Sequence, residues 1–332
     1  MSAPTPGALA GPHQYLRAQI RWEWTEYAFW AATFLPFALF PSYLQLASQI
    51  AIAALFALSL DLILGYAGIV SLGHAAFFGL GAYTAGILSV YGWGEPLSGL
   101  VLASALAGLV GYATSFIIAR FRHLALIMIT LGLGLLLHEA ANSASWLTGG
   151  ADGLQGMRIG TLLGFKFDLY GRTAYTYSLI ALFVALLVAR RIIHSPFGLS
   201  LRGIRENPVR MPALGAASSR HIRKIYTIAA VMAGISGAVL AQTTSTVSLE
   251  VLSFQRSADV LVILILGGAG RLYGGIVGAI IYMVARDQFS GVNPQFWYFW
   301  IGLLLVAVVV FLPNGILGGL ARLSAHLRDR RP

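Results

Sequence analysis

The sequence contains no cysteine, which excludes disulfides and thiolate metal sites. It has only two lysines, Lys166 and Lys224. Neither lies in the G-x-x-x-x-G-K-[ST] pattern of a phosphate-cradling loop, so ATP binding by that route is excluded. Charge of either sign is scarce. Charged residues are 10% of the chain, against about a quarter in a soluble globular domain. Acids are scarcer than bases, 12 against 22. No cleavable signal pattern is expected, because the first twenty residues are polar, carry Arg17 and Arg21, and precede the apolar run.

What is present is apolar. Hydrophobic residues are 58% of the 332, and mean hydropathy is +0.77. Lipid must be the solvent for much of the chain. A helix crossing the hydrocarbon core needs about 20 apolar residues. Such stretches lie at 24–42, 44–64, 71–91, 97–119, 123–146, 174–193, 223–247, 257–269, 273–289 and 295–313. The expected fold is an all-α, polytopic helical bundle of about ten spans, with a broken or partial span at 257–269. Ten crossings put both termini on one side.

The charges agree with that count. Arg120 and Arg122, the run from Arg190 to Lys224, Arg271, and the tail from Arg322 to Arg331 all fall on the face of the N-terminus. Glu95, Asp152, Asp168, Glu250 and Asp287 fall opposite. The positive-inside rule makes the basic face cytoplasmic. The net charge of +10 thus needs no nucleic-acid partner. Residues 194–222 form a long basic loop around the small, apolar PALGAA segment. Such a loop is a docking candidate, and a solvated connector attracted to lipid headgroups is the alternative.

Three patterns raise other chemistries. His138-Glu139-Ala-Ala-Asn142 has Asn where a zinc site of the H-E-x-x-H type needs its second histidine. Gly234-Ile-Ser236-Gly resembles the motif of rhomboid-type intramembrane serine proteases, which need a histidine base beside the serine. Asp61, Glu139 and His74 would serve a stand-alone proton-coupled carrier, since ionisable groups in spans mark pathways. Against these stands a structural reading. Ser236 sits in a run of small residues that lets helices approach closely, and Asp61 and Asp259 lie near helix ends.

Glycine is the strongest repeated signal. The stretch 65–86, GYAGIVSLGHAAFFGLGAYTAG, holds six glycines and one histidine. Ala75, Gly79, Ala82 and Gly86 share one helical face, and so do Gly274 and Gly278. Each face lacks bulk, so a helix is expected against it. Gly65 and Gly68 stand at a span end, where they permit a bend.

Four blocks carry a resemblance: 58–86, 147–154 (LTGGADGL), 203–242, and 261–281 with FLPNGILGG at 311–319. They resemble the LivM-type permease subunits of branched-chain amino-acid ABC importers. The resemblance implies a single permease domain over 1–332, with a polar cytoplasmic N-terminus (1–22), a coupling loop (194–222) and a basic tail (314–332). It implies no catalytic residue, no metal, and no cofactor on this chain. ATP and magnesium would sit on two partner ATPases in the cytoplasm. A LivH-type second permease and a periplasmic binding protein complete the set, in a bacterial inner membrane. Arg205, Glu206, Asn207, Ala213, Leu214 and Gly215 fall in the family's ATPase-coupling segment. Here Pro208 and Pro212 depart from its pattern. Asn207 with Pro208 makes a helix N-cap pair, and Pro212 predicts a kink or a later start. Tyr66, Ser71, His74 and Thr130 are the expected pathway residues, with His74 at the inner mouth or hydrogen-bonded to a neighbouring helix.

The missing phosphate loop predicts that the purified chain alone hydrolyses no ATP. Phosphate release above an empty-membrane control, from protein free of any ATPase subunit, would contradict this.

Overall fold

The structure is a computed structural model, and it describes residues 22, 24–162, 164–168, 170–312 and 314–320. Residues 1–21 of the expected N-terminal segment and 321–332 of the expected tail lie outside the described residues. The described chain is helical, and its only β-type pairings are isolated bridges, one of which joins Leu154 to Val247.

The helices follow the apolar stretches. They are α1 (Trp24–Ala32), α2 (Leu35–Leu39), α3 (Leu44–Leu64), α4 (Ala75–Val90), α5 (Pro96–Ile118), α6 (His123–Ser143) and α7 (Ser145–Thr148). After a loop come α8 (Arg172–Ile193), α9 (Pro196–Glu206), α10 (Arg210–Ala213), α11 (Ser218–Thr244), α12 (Phe254–Gly267), α13 (Gly274–Val292) and α14 (Trp297–Phe311). Six helical stretches are long and apolar enough to cross a bilayer: Pro41–Leu64, Pro96–Ile118, His123–Ser143, Arg172–Ile193, Ser218–Thr244 and Trp297–Leu320. The chain is a multi-pass membrane protein.

Three of the other expected spans are broken or short helices, and the fourth, 273–289, is α13 with 19 residues. The first, 24–42, is broken into α1 and α2, with Pro36 in the first turn of α2. Proline keeps a helix from running through such a point. An ion pair from Arg190 to Glu26 at 2.6 Å ties α1 to α8. Helix α4 has 16 residues and α12 has 14. At 1.5 Å per residue these reach about 24 Å and about 21 Å, less than the hydrocarbon thickness of about 30 Å.

Helix α11 is the centre of the bundle. It packs on α5, α4 and α3, while α8 and the α12–α13 pair close around α3. Its run of small residues explains why. A Cβ at Gly237 would collide with the backbone carbonyl of Phe78, and one at Gly81 with the carbonyl of Gly234. The two backbones are therefore in contact. Helices α5, α6 and α14 instead turn large apolar side chains outward, among them Leu109, Leu136 and Val310. Those faces meet lipid or another apolar chain.

The face expected to hold a neighbouring helix on α4 is used otherwise. Gly79 lies against Leu252, and Gly86 against Leu154 and Met157, all of them in connecting segments. The close helix contact of α4 runs through Gly81, one register position away. Gly274 packs on the Gly268 carbonyl and Gly278 on the Ile263 carbonyl, which joins α13 to α12 and its C-terminal turn.

Gly237→Val forces Cβ and two methyls into the Phe78 carbonyl and is expected to cost about 1–3 kcal/mol or more. Gly132→Ala, where no atom lies within 4 Å, is the matched control. Thermal unfolding in detergent, followed by size-exclusion fluorescence, should separate the two.

Candidate functional site

Two constellations stand at opposite ends of α3. The first is a cavity of about 540 Å³ bounded by α3, α11, α12, α13 and the segment after α11. From α3 it takes Leu46, Gln49, Ile52, Ala53 and Phe56. Leu46 to Phe56 is about 15 Å along the helix axis, so the cavity reaches well into the bundle. Apolar walls come from Val260, Ile263, Leu240 and Met283.

Six charged side chains line this cavity: Asp152, Glu250, Arg256, Asp259, Arg286 and Asp287. Both signs are present, yet the one ion pair among the described residues is Arg190–Glu26. Asp259 accepts hydrogen bonds from Tyr282 Oη at 2.9 Å and Gln255 Nε2 at 3.1 Å. The Arg256 guanidinium lies 5.8 Å from the centre of the Phe78 ring, and its Nε is buried without a hydrogen-bond partner. Arg286 lies 5.1 Å from the Trp297 ring. Ser253 positions Arg256, since its side chain caps α12 by accepting from the Arg256 N–H at 3.2 Å.

Phe56 and Phe78 form the floor, with ring centres 4.6 Å apart. His74 lies behind it, stacked on Phe56 at 5.5 Å and 5°. Its Nε2 is 2.8 Å from Ser59 Oγ. Ser59 has one hydroxyl proton and donates it to the Phe56 carbonyl at 2.6 Å. Ser59 therefore accepts from His74, which assigns the proton to Nε2. Nδ1 is buried and without a partner.

The second constellation joins α9 to the bent segment between α3 and α4. Arg205 Nη1 donates to the Gly65 carbonyl. Arg202, one turn earlier, holds its guanidinium 5.4 Å from the Tyr66 ring. Gly68 has φ +72° and packs on the Arg205 side chain, a position where a side chain would be strained. Asp61 accepts from the Gly270 N–H at 2.7 Å, which brings the α12–α13 turn to the same point. The bent segment is tied down further along. Leu72 N–H donates to Thr130 Oγ1 at 3.3 Å, and Ala75 N–H donates to Ser257 Oγ at 3.0 Å.

The expected pathway residues therefore gather on the bent segment and its anchor, and not on the cavity. Tyr66, Ser71, His74 and Thr130 are all buried, and none is among the cavity's lining residues. The expected proton-relay set is not brought together: Asp61 binds Gly270, His74 binds Ser59, and exposed Glu139 accepts from Ser143. Ser236 donates to the Ile52 carbonyl at 2.8 Å, so its proton is not offered to an imidazole. No group of three metal-ligating side chains occurs among the described residues.

In the coupling segment the Asn207 side chain caps the turn that follows, as expected, and the residue also closes the helix before it. Helix α9 ends there, with Arg205 and Glu206 as its last turn and Asn207 as its C-cap. The Asn207 side chain then accepts from Val209 and Arg210 N–H, at 3.2 and 2.9 Å, and starts the single turn α10. Pro208 has no N–H to continue α9. Pro212 lies inside α10, which ends after Ala213. Ala213, Leu214 and Gly215 are exposed.

A model of the family described as branched-chain amino acid transport system / permease component matches residues 42–309. The chain belongs to that family. It is 28% identical over 309 residues to the high-affinity branched-chain amino acid transport system permease protein LivM of Salmonella typhimurium, across 85% of this chain and 71% of that one. LivM of Escherichia coli matches over the same shares at the same identity. LivH of Escherichia coli is 23% identical over 283 residues, across 80% of this chain and 91% of its own. No solved structure shows a significant match.

Residue-level reading of this family member missed Arg256, Arg286 and Tyr282, and it set Asp287 in a loop. A signal was there. Arg286-Asp287 interrupts an otherwise apolar helix, and Arg256 and Asp259 stand at i, i+3, where charges in apolar segments mark pathways.

Asp61→Leu leaves the half-buried Gly270 N–H without its acceptor, at an expected cost of about 1–3 kcal/mol. Asp61→Asn keeps an acceptor oxygen and should lose less. Melting temperatures of the two solubilised variants, compared with the parent chain, check the order.

Proposed function

We propose that this chain is a permease subunit of an ABC importer and forms, with a second permease, the pathway for branched-chain or related amino acids. The family match across residues 42–309 carries this reading. Its LivM and LivH relatives are named as permease proteins of a high-affinity branched-chain amino acid transport system. The transport work is then done on partner subunits, with ATP and magnesium on two cytoplasmic ATPases and the substrate delivered by a periplasmic binding protein.

The ten apolar stretches are read as crossings of a bacterial inner membrane, with both termini cytoplasmic and α12 a partial crossing. The excess of arginines on the face of the termini, with fewer bases opposite, supports this. The whole chain is one permease domain, with 194–222 as the coupling loop. Val209 and Leu214 are strongly exposed at 77% and 67%, on a basic loop whose α9 is clasped to the Gly65 bend. Closure of an ATPase groove around this loop would pull on Arg205 and Arg202. The pull would pass to α3 and α4 through Gly65 and Tyr66. No general base, nucleophile or metal is required of this chain.

The test is reconstitution. Uptake of labelled leucine into proteoliposomes should need the second permease, the ATPases, ATP and the binding protein together. Uptake by this chain alone under a pH gradient would overturn the reading in favour of a proton-coupled carrier.

Val209→Asp with Leu214→Asp puts two desolvation costs into the docking surface. Recovery of the ATPases with the tagged chain is expected to fall about tenfold or more, since about 1.4 kcal/mol suffices for a factor of ten. Quantitative pull-down against the parent chain measures it.

A further inference from the structure

We propose that the cavity between α3, α12 and α13 is a binding site for a zwitterionic α-amino acid, in which Arg256 holds the carboxylate and Asp259 the ammonium. The inference rests on the importer reading and adds to it a selective site inside the permease, separate from that of a delivering protein.

The argument begins with charge. Arg256 and Asp259 line one cavity, and neither has an ion-pair partner among the described residues. A charge withdrawn from water is costly unless paired. The Arg256 Nε is already out of water and has no acceptor. A ligand with one charge of each sign satisfies both residues together, and a ligand with a single charge leaves one unsatisfied.

Spacing supplies the second part. Positions i and i+3 on a helix hold their Cβ atoms about 5–6 Å apart. That separation lets one guanidinium and one carboxylate close on the two ends of an amino-acid headgroup. Capping of α12 by Ser253 orients the Arg256 backbone. The Tyr282 and Gln255 bonds orient the Asp259 carboxylate. A planar guanidinium also suits a carboxylate through paired hydrogen bonds.

Shape supplies the third. The cavity of about 540 Å³ falls in the range of about 300–1,000 Å³ usual for small-molecule sites. Ile52, Ala53, Val260 and Met283 give it an apolar wall for the ligand's side chain. The Phe56–Phe78 floor closes its inner end, and Arg256 rests over Phe78. A carboxylate drawn to Arg256 would therefore sit next to the floor that has to part for passage.

The experiment uses the permease pair with its ATPases in lipid nanodiscs, without the binding protein. Equilibrium binding is read with tritiated L-leucine, L-alanine and L-phenylalanine. Saturable binding of at least one is expected. Its own amide, which lacks the carboxylate, and its deaminated acid, which lacks the ammonium, should compete about tenfold or more weakly. Arg256→Gln and Asp259→Asn should each weaken binding by a similar factor. Arg256→Lys, which keeps the charge but not the fork, should fall between. Size-exclusion assembly of each variant excludes misfolding. No saturable binding to an assembled complex that still performs ATP-driven uptake with its binding protein would overturn this inference and leave the importer reading intact. So would binding unchanged by both charge-removing variants, or variants that weaken only docking of the binding protein. Failure of the chain to assemble with any ATPase, by contrast, would overturn the importer reading.

Discussion

The contact between the backbones of α4 and α11 is the constraint on which the other packing depends. Gly81 lies against the Gly234 carbonyl, and Gly237 against the Phe78 carbonyl. In lipid, burying apolar surface between helices gives little driving force, so association relies on close packing. Two backbones in contact gain dispersion along their whole length. With α11 fixed on α4, its other faces are set for α5 and α3. Ser236 confirms the second contact through its bond to the Ile52 carbonyl. The position of Phe78 is fixed by the same contact, and with it the floor of the cavity.

The bent segment between α3 and α4 has the opposite character. It is irregular backbone inside an apolar bundle, where every polar group must find a partner within the protein. Its backbone finds them on three other elements: Arg205 of α9, Thr130 of α6 and Ser257 of α12, while Asp61 at the end of α3 holds the Gly270 N–H beside it. Such a segment moves only if its partners move. The basic loop and the cavity floor thus share one mechanical connection, which runs along about two turns of helix from Phe56 to Gly65. His74 lies between them, bonded to Ser59 and stacked on Phe56. Its chemistry is that of a support.

The architecture was legible in the sequence where the governing physics is local. Apolar length located the helices. The small-residue run around Ser236 read correctly as a packing surface. The register of that packing was less legible. Gly79 and Gly86 have the same spacing as a helix-contact face, but α4 turns them toward Leu252 and Leu154. Glycine spacing specifies a groove, and what fills the groove depends on which helix is already anchored elsewhere. The end of α9 at Asn207 was not read from the sequence, for a related reason. Asn207 serves as C-cap to one helix and side-chain acceptor for the next, and both roles draw on the same residue type.

The sequence by itself determined the solvent, the helical class and the family, because each depends on composition or on residues close in the chain. Only the tertiary structure decided which polar residues face a cavity and which face each other. Tyr66, Ser71, His74 and Thr130 stand in glycine-rich or apolar surroundings that mark a working region, yet they are buried against one another's elements. Arg256, Asp259 and Arg286 come from two helices and meet around one space. The reason is geometric. A single helix shows its own periodic faces, but whether a face is filled by a neighbour or left open is set by how several helices divide the volume between them.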